Sequence, residues 1–220
     1  WIQWWMVIKR FRPCFTRHQT FMWFAVCVMA FSTRTDLVGV SSFIRTLGFE
    51  EFYYDRLLDF FHSTAVCIGS ITKIWVQCLL ELGLSHKVNG RLIIIADGVK
   101  APKEGRKMPG VKSLHQDSES NSKAEFIMGH SFQALCLLTT ARGYFFATPL
   151  ISQIHEGIVE SNRDQRTLLD KMIIMMDSLG ITQPFYLVAD AYYASEKIIL
   201  PLLKRGQHLI SRARINSVAF

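Results

Sequence analysis

The sequence has no CxxC pair, no HExxH and no cysteine–histidine cluster at the spacing of a zinc site. This removes the common zinc-finger and zinc-hydrolase readings. It also lacks a glycine-rich phosphate loop and a nucleophile elbow, so a small-molecule α/β enzyme of either kind has no anchor in it. The five cysteines, Cys14, Cys27, Cys67, Cys78 and Cys136, stand singly in apolar runs. An odd, scattered set reads as reduced thiols packed as small hydrophobes in a cytoplasmic protein.

A membrane-spanning run is missing too. The apolar stretch FMWFAVCVMAF at 21–31 has eleven residues. That is about 16 Å of helix, against a hydrocarbon core of roughly 30 Å. Lys9, Arg10, Arg12, Arg17 and His18 separate it from Trp1, Trp4 and Trp5. The following FSTRTD offers no small-residue cleavage site for a signal peptide, so a buried helix is expected and no membrane partner. The chain has no initiator Met and stops at Ala219-Phe220 without a closing element, and it reads as a fragment.

What is present is a folding composition. Of 220 residues, 50% are hydrophobic and 20% charged, which suits one large domain or two small ones and excludes a disordered chain. The formal charge of +7 suits a polyanionic partner without requiring one.

Residues 1–88 read as helical. A short helix at 37–47 stops at Gly48, and apolar residues recur at helical spacing through 53–82, with Gly69 as a candidate break. From residue 89 the texture changes. Leu92-Ile93-Ile94-Ile95-Ala96 is the continuous apolar run of a strand buried on both faces, and it ends at Asp97-Gly98. Residues 99–125 read as a long polar loop, of the kind that is usually functional or disordered. Strands at 130–139 and 144–149 form a hairpin across 141–143. A helix at 166–179 ends at Gly180, a strand at 185–189 runs into Asp190, a helix at 195–204 has Ser195 as its N-cap and stops before Gly206, and a last strand covers 208–212. This order predicts an α/β fold, a mixed sheet flanked by helices and preceded by an α-helical N-terminal region.

The two aspartates carry the chemistry. Burying an unpaired carboxylate is costly, so an acid at the end of an apolar strand is not there for packing. If the two strands are parallel neighbours, Asp97 and Asp190 emerge side by side at the edge where ligands gather in open α/β sheets. Like charges that close repel unless a cation lies between them, and hard oxygen donors select Mg²⁺ or Mn²⁺. Such a pair, completed by a third carboxylate, is a scaffold for two-metal phosphoryl chemistry. The same residues also serve as helix caps and turn starters, and pattern alone leaves both readings open. Beyond Asp97, residues 99–112 hold five basic side chains, Lys100, Lys103, Arg106, Lys107 and Lys112, against one acid, Glu104. An exposed loop of that charge is placed to hold phosphates, or is simply solvated.

The run ADGVKAPKEGRKMPGVKSLHQDSESNSKAEFIMGHSFQALCLL, then FYLVADAYYAS, then LISRARINSVAF, resembles the cut-and-paste DDE transposases of bacterial insertion sequences over residues 30–220. The resemblance implies an RNase H-like catalytic core at 89–220 behind a helical DNA-contacting region at 1–88. It implies Asp97 and Asp190 as the first two catalytic, metal-binding acids, with Mg²⁺ or Mn²⁺ as cofactor. Double-stranded DNA is then the partner, held by Lys100, Lys103, Arg106, Lys107 and Lys112, with a homodimer compatible and His130 near the site. The family's third acid, a glutamate on a later helix, has no counterpart. Glu196 follows Asp190 by only six residues, so the glutamate is expected beyond Phe220 and this stretch alone is expected to be inactive. Gly98 stands where many relatives have a second acid. The rival readings are a structure-selective nuclease on the same fold and a catalytically inactive DNA-binding remnant.

Overall fold

The computed structural model describes residues 1–36, 39–103, 105, 108–115, 125–155 and 166–213. The chain divides into two compact units, Trp1–Cys78 and Leu79–Phe220.

The first unit is helical: α1 (Ile2–Lys9), α2 (His18–Thr33), α3 (Val40–Leu47), α4 (Tyr53–His62) and most of α5 (Ile68–Glu81). Its core is aromatic. Phe11, Phe15, Phe21, Phe43 and Phe60 are buried with Leu57, and Phe24 lies 5.3 Å from Phe11 and 5.1 Å from Phe15 between ring centroids. These rings therefore pack the interior, as the apolar run at 21–31 requires of a helix that stays within a protein. No helix among the described residues is long and apolar enough to cross a membrane. α3 ends as expected: Gly48 takes φ 63°, and Phe49 N–H returns to the Ile44 carbonyl, the reversed pair of bonds that closes a helix. The break between α4 and α5 is at residues 63–67 and not at Gly69, because Ser63 Oγ accepts from Ala65 N–H and turns the chain there. One cysteine departs from the core reading: Cys67 is exposed, and Ser70 donates to its sulfur at 3.2 Å.

Among the described residues the second unit is built on a seven-stranded mixed sheet. Its strands are β1 (Lys87–Val88), β2 (Arg91–Pro102), β3 (Lys112–His115), β4 (Phe126–Ala141), β5 (Tyr144–Ile154), β6 (Phe185–Ala189) and β7 (His208–Ile210). β5 and β3 pair with β4, β4 is antiparallel to β2, and β6 is parallel to both β2 and β7. Helix α6 (Leu168–Ser178) connects β5 to β6, and α7 (Glu196–Lys204) connects β6 to β7. A mixed sheet with these crossovers, preceded by helices, is compatible with an RNase H-like fold. Leu92, Ile94, Leu135, Leu137 and Leu187 share one face and are almost fully buried with Met172, Met175, Ile198 and Leu202 of the two helices. Each such side chain contributes about 2 kcal/mol through burial.

Several elements differ from the sequence reading. The stretch read as helical to residue 88 ends in a strand, β1, and Asn89-Gly90, with φ of 51° and 75°, is the tip of a hairpin joining β1 to β2, the use to which Asn-Gly is best suited. β2 does not end at Asp97 but continues five residues to Pro102, paired with β4 throughout. The segment taken as one long loop therefore contains the end of β2 and all of β3. Ser195 occupies the N-cap of α7, yet its hydroxyl makes no capping bond. The working cap is on α6, where Thr167 and Asp170 bond reciprocally and Lys197 reaches Asp170 at 3.2 Å.

Two stability predictions follow from these contacts. A Cβ at Gly129 would collide with the Ala101 backbone carbonyl on β2, so Gly129→Ala should lower stability by about 1–3 kcal/mol in urea unfolding. Gly98→Ala, with room for ordinary contact at 3.7 Å and 3.8 Å, should cost under about 1 kcal/mol. Secondly, the Thr167 hydroxyl first, then the Thr167 N–H and Lys197, hold the Asp170 carboxyl below its usual range. A depressed acid stabilises the fold above its unfolded value, near 3.9, and that contribution disappears as pH falls through the lower folded value. Asp170→Asn should therefore lower stability at pH 7, with the difference from wild type shrinking as unfolding is measured at progressively more acidic pH.

Candidate active site at the end of the parallel strand pair

The register between β2 and β6 runs Leu92↔Phe185 to Ala96↔Ala189. Asp97 and Asp190 are the next residue on each strand. Neighbouring strands lie about 4.8 Å apart, so the two acids start from adjacent backbone positions. By strand alternation, Asp97 leaves the face of Ile93 and Ile95, opposite the packed Leu92–Ile94 face. Both aspartates are exposed. At this level β6 stops while β2 continues along β4, with Asp97 paired to Ala134, which leaves an open corner beside the carboxylates.

Each carboxylate is oriented by backbone. Asp97 Oδ1 accepts from Gly98 N–H at 2.7 Å. Asp190 Oδ1 accepts from Tyr192 N–H at 3.1 Å and caps the short 3₁₀ turn Ala191–Tyr193, so the capping role open from the sequence is present here. The Asp190 carbonyl accepts from Ser211 Oγ at 2.8 Å, tying the turn to the chain just after β7. The second oxygen of each aspartate has no hydrogen-bond partner among the described residues. Two carboxylates with one outward oxygen each form a hard donor pair suited to Mg²⁺ or Mn²⁺. Among the described residues no third His, Cys, Asp or Glu joins them as a metal-holding group.

The surroundings respond to this charge. Cys136, two positions along β4 from Ala134, is pushed up chiefly by burial and then by Asp97. Tyr193 is buried and its phenol is also raised, first by burial and further by Asp190 and Asp97, against a lowering bond from Gln133.

The basic residues lie further along the same ladder. Lys100 donates to the His115 carbonyl of β3. Lys103 extends the pairing through its N–H to Met128, and its side chain is exposed. Lys112 begins β3 opposite Gly129. At about 3.3 Å per residue, Lys100 and Lys103 are roughly 10 Å and 20 Å from Asp97. Arg106 and Lys107 lie outside the described residues. His130 is four residues along β4 from Ala134, about 13 Å from the carboxylate level. It is buried, and its Nε2 meets the Pro109 carbonyl at 2.9 Å, fastening the turn at 108–111. Glu196 opens α7 and is exposed.

The sequence reading passed over Gln133, Tyr193 and Ser211. Gln133 had a visible signal, a polar residue at an inward position of the strand run FQALCLL. Tyr193 and Ser211 had none, since their roles depend on the turn after β6 meeting β4 and the end of β7.

No family model matches the chain, and no curated protein matches it. Among solved structures the chain is similar to a piggyBac transposase, seen by cryo-electron microscopy in a synaptic complex with hairpin DNA. The identity is 12% and the TM-score 0.43, over 92% of this chain and 43% of that one. The chain thus spans less than half the length of that transposase.

The Asp97–Cys136 proximity is checkable. Replacing Asp97 by Asn removes a negative charge that disfavours the thiolate. The titration midpoint of Cys136, followed by thiol alkylation and peptide mass spectrometry, should move down in Asp97→Asn, while that of Cys27, which burial alone pushes up to about 12, should not change.

Proposed function

We propose that this chain is part of a DDE-type DNA transposase, which cuts DNA and joins the cut end to a target by metal-dependent phosphoryl transfer. The observation that carries the reading is the β2–β6 register, which brings Asp97 and Asp190 to adjacent positions at the open end of a parallel strand pair. The resemblance of the segments around both acids to cut-and-paste transposases supports the same assignment. In this reading Asp97 and Asp190 hold the divalent cations, and the backbone N–H of Gly98 and of Tyr192 fix the carboxylate orientations. Bound Mg²⁺ or Mn²⁺ supplies the acidity that activates the attacking hydroxyl and the charge that stabilises the leaving oxygen.

The far end of β2 holds the nucleic acid. Lys103, about six residues along, shares the Asp97 side by alternation, while Lys100 and Lys112 line the opposite side of the same edge, within roughly three to six steps of a DNA strand from the acids. Their role is to bind phosphate regardless of base, so affinity should fall steeply with salt. The resemblance implies a third carboxylate, a glutamate on a later helix. One observation favours a second reading, a DNA-binding remnant without activity: only two acids meet at this corner among the described residues.

The deciding experiment uses the full-length protein with DNA carrying the element ends, in Mg²⁺ and in Mn²⁺. The transposase reading expects cleavage and strand joining, with Asp97→Ala and Asp190→Ala each reducing both on the order of 10³-fold or more while DNA binding persists. Cleavage without joining would identify a nuclease. Binding without either reaction would identify the remnant, and full activity in both alanine variants would remove the acids from the chemistry.

A further inference from the structure

Behind the carboxylate corner, on the packed face of the sheet, lies a buried polar junction that the hydrophobic core does not require. Gln133 and Tyr193 are each only 3% exposed. The Gln133 amide nitrogen donates to Tyr193 Oη at 3.2 Å and to the Leu168 carbonyl at 3.0 Å. Its two protons are thus matched to two acceptors on two different elements, the turn after β6 and the first turn of α6. The Tyr193 hydroxyl lies over Gly98, 3.8 Å from where a Cβ would stand. Gly98 is paired with Gln133 and follows Asp97 directly. The backbone of Tyr193 belongs to the turn that Asp190 caps, since Tyr193 N–H returns to the Asp190 carbonyl at 3.1 Å. One hydrogen-bonded unit therefore connects the peptide after the first acid to the turn beginning with the second.

On the functional reading above, we infer that Tyr193 and Gln133 are positioning residues that set the spacing of Asp97 and Asp190 for the divalent cation, by latching the Asp190 turn to β4 behind Gly98. The chemistry favours this use. β6 ends at Ala189, so no ladder hydrogen bond carries the register on to Asp190. The turn is held by the Ser211 bond to the Asp190 carbonyl on one side and by the Tyr193 hydroxyl on the other. A buried amide bonded to two different elements favours one geometry, because a slip that breaks either bond leaves an unpaired N–H in an apolar surround. A phenyl ring would fill the same volume without the latch.

Tyr193→Phe in the full-length protein separates the latch from packing, and Gln133→Met removes the other half of the bond at similar length. In metal-free protein, hydrogen exchange at the Tyr192 and residue-193 amides should quicken about tenfold in both variants, while exchange in the α6 core stays at the wild-type rate. Mn²⁺ affinity, read directly by electron paramagnetic resonance, should weaken about tenfold, as loss of a supporting partner does at metal sites. Strand cleavage should fall at low Mn²⁺ and recover at high Mn²⁺, a rescue that general destabilisation would not give. Wild-type exchange at the turn together with wild-type Mn²⁺ affinity in both variants would overturn the inference. Asp97→Asn is the control for the reading beneath it. Lost Mn²⁺ binding there with unaffected Tyr193→Phe removes the latch alone, whereas Mn²⁺ binding unaffected in Asp97→Asn removes the metal site and the latch's purpose together.

Discussion

The parallel pairing of β2 with β6 is the constraint on which the second unit depends. Strand side chains alternate, so a slip of one residue would turn Ile93 and Ile95 into the packed face and send Asp97 inward with them. Such a slip would move Leu92 and Ile94 out of their near-fully buried positions and bury an acid with no partner, which is prohibitive. The hydrophobic pattern of the two strands therefore fixes more than a core. It determines that the first residues beyond the apolar runs stand together, on the face opposite Leu92 and Ile94.

Much of this was legible in the sequence. β6 is so short, so apolar and so sharply bounded that its limits could be read directly, and the stops at Gly48, Gly180 and Gly206 correspond to left-handed backbone at helix ends. The sequence was less informative where pairing overrides composition. Gly98, Lys100 and Pro102 look like a loop because they lack the residues that favour strands. They are nevertheless strand, because β4 continues antiparallel beside them and supplies partners as far as Gly129. The same holds for β3, whose lysine and histidine are tolerated at a position exposed on one side. Local propensity is a weak guide where a long neighbour is already in place.

The candidate site was legible in part for the same reason. The acids announced themselves as interruptions of apolar runs, a one-dimensional signal. Their adjacency depended on which strands become neighbours, and sequence order with crossover helices narrows that choice because parallel strands need such a connection. Gln133 and Tyr193 are sixty residues apart, and no local spacing joins them. The two units also differ in how they are packed. The first has ring against ring across short helices, whereas the second has aliphatic layers between sheet and helices with buried polar side chains such as Gln133 and Gln207 among them. On the proposed reading a cation between the two acids needs their spacing held closely, and a directional hydrogen bond can do that where aliphatic contacts cannot.

At the opposite border of the sheet, β5 pairs among the described residues with β4, and its register shifts between Leu135 and Cys136, leaving Leu150 beside Pro149 as the extra residue. Proline has no N–H to offer, and a bulge bends and twists the strand carrying it. The outer rim of β5 is thus interrupted midway, and a foreign strand could follow it for only a few residues on either side. A protein whose longest hairpin carries exposed Tyr144, Phe145 and Phe146 near its tip is thereby protected from growing its sheet, chain upon chain, along that rim.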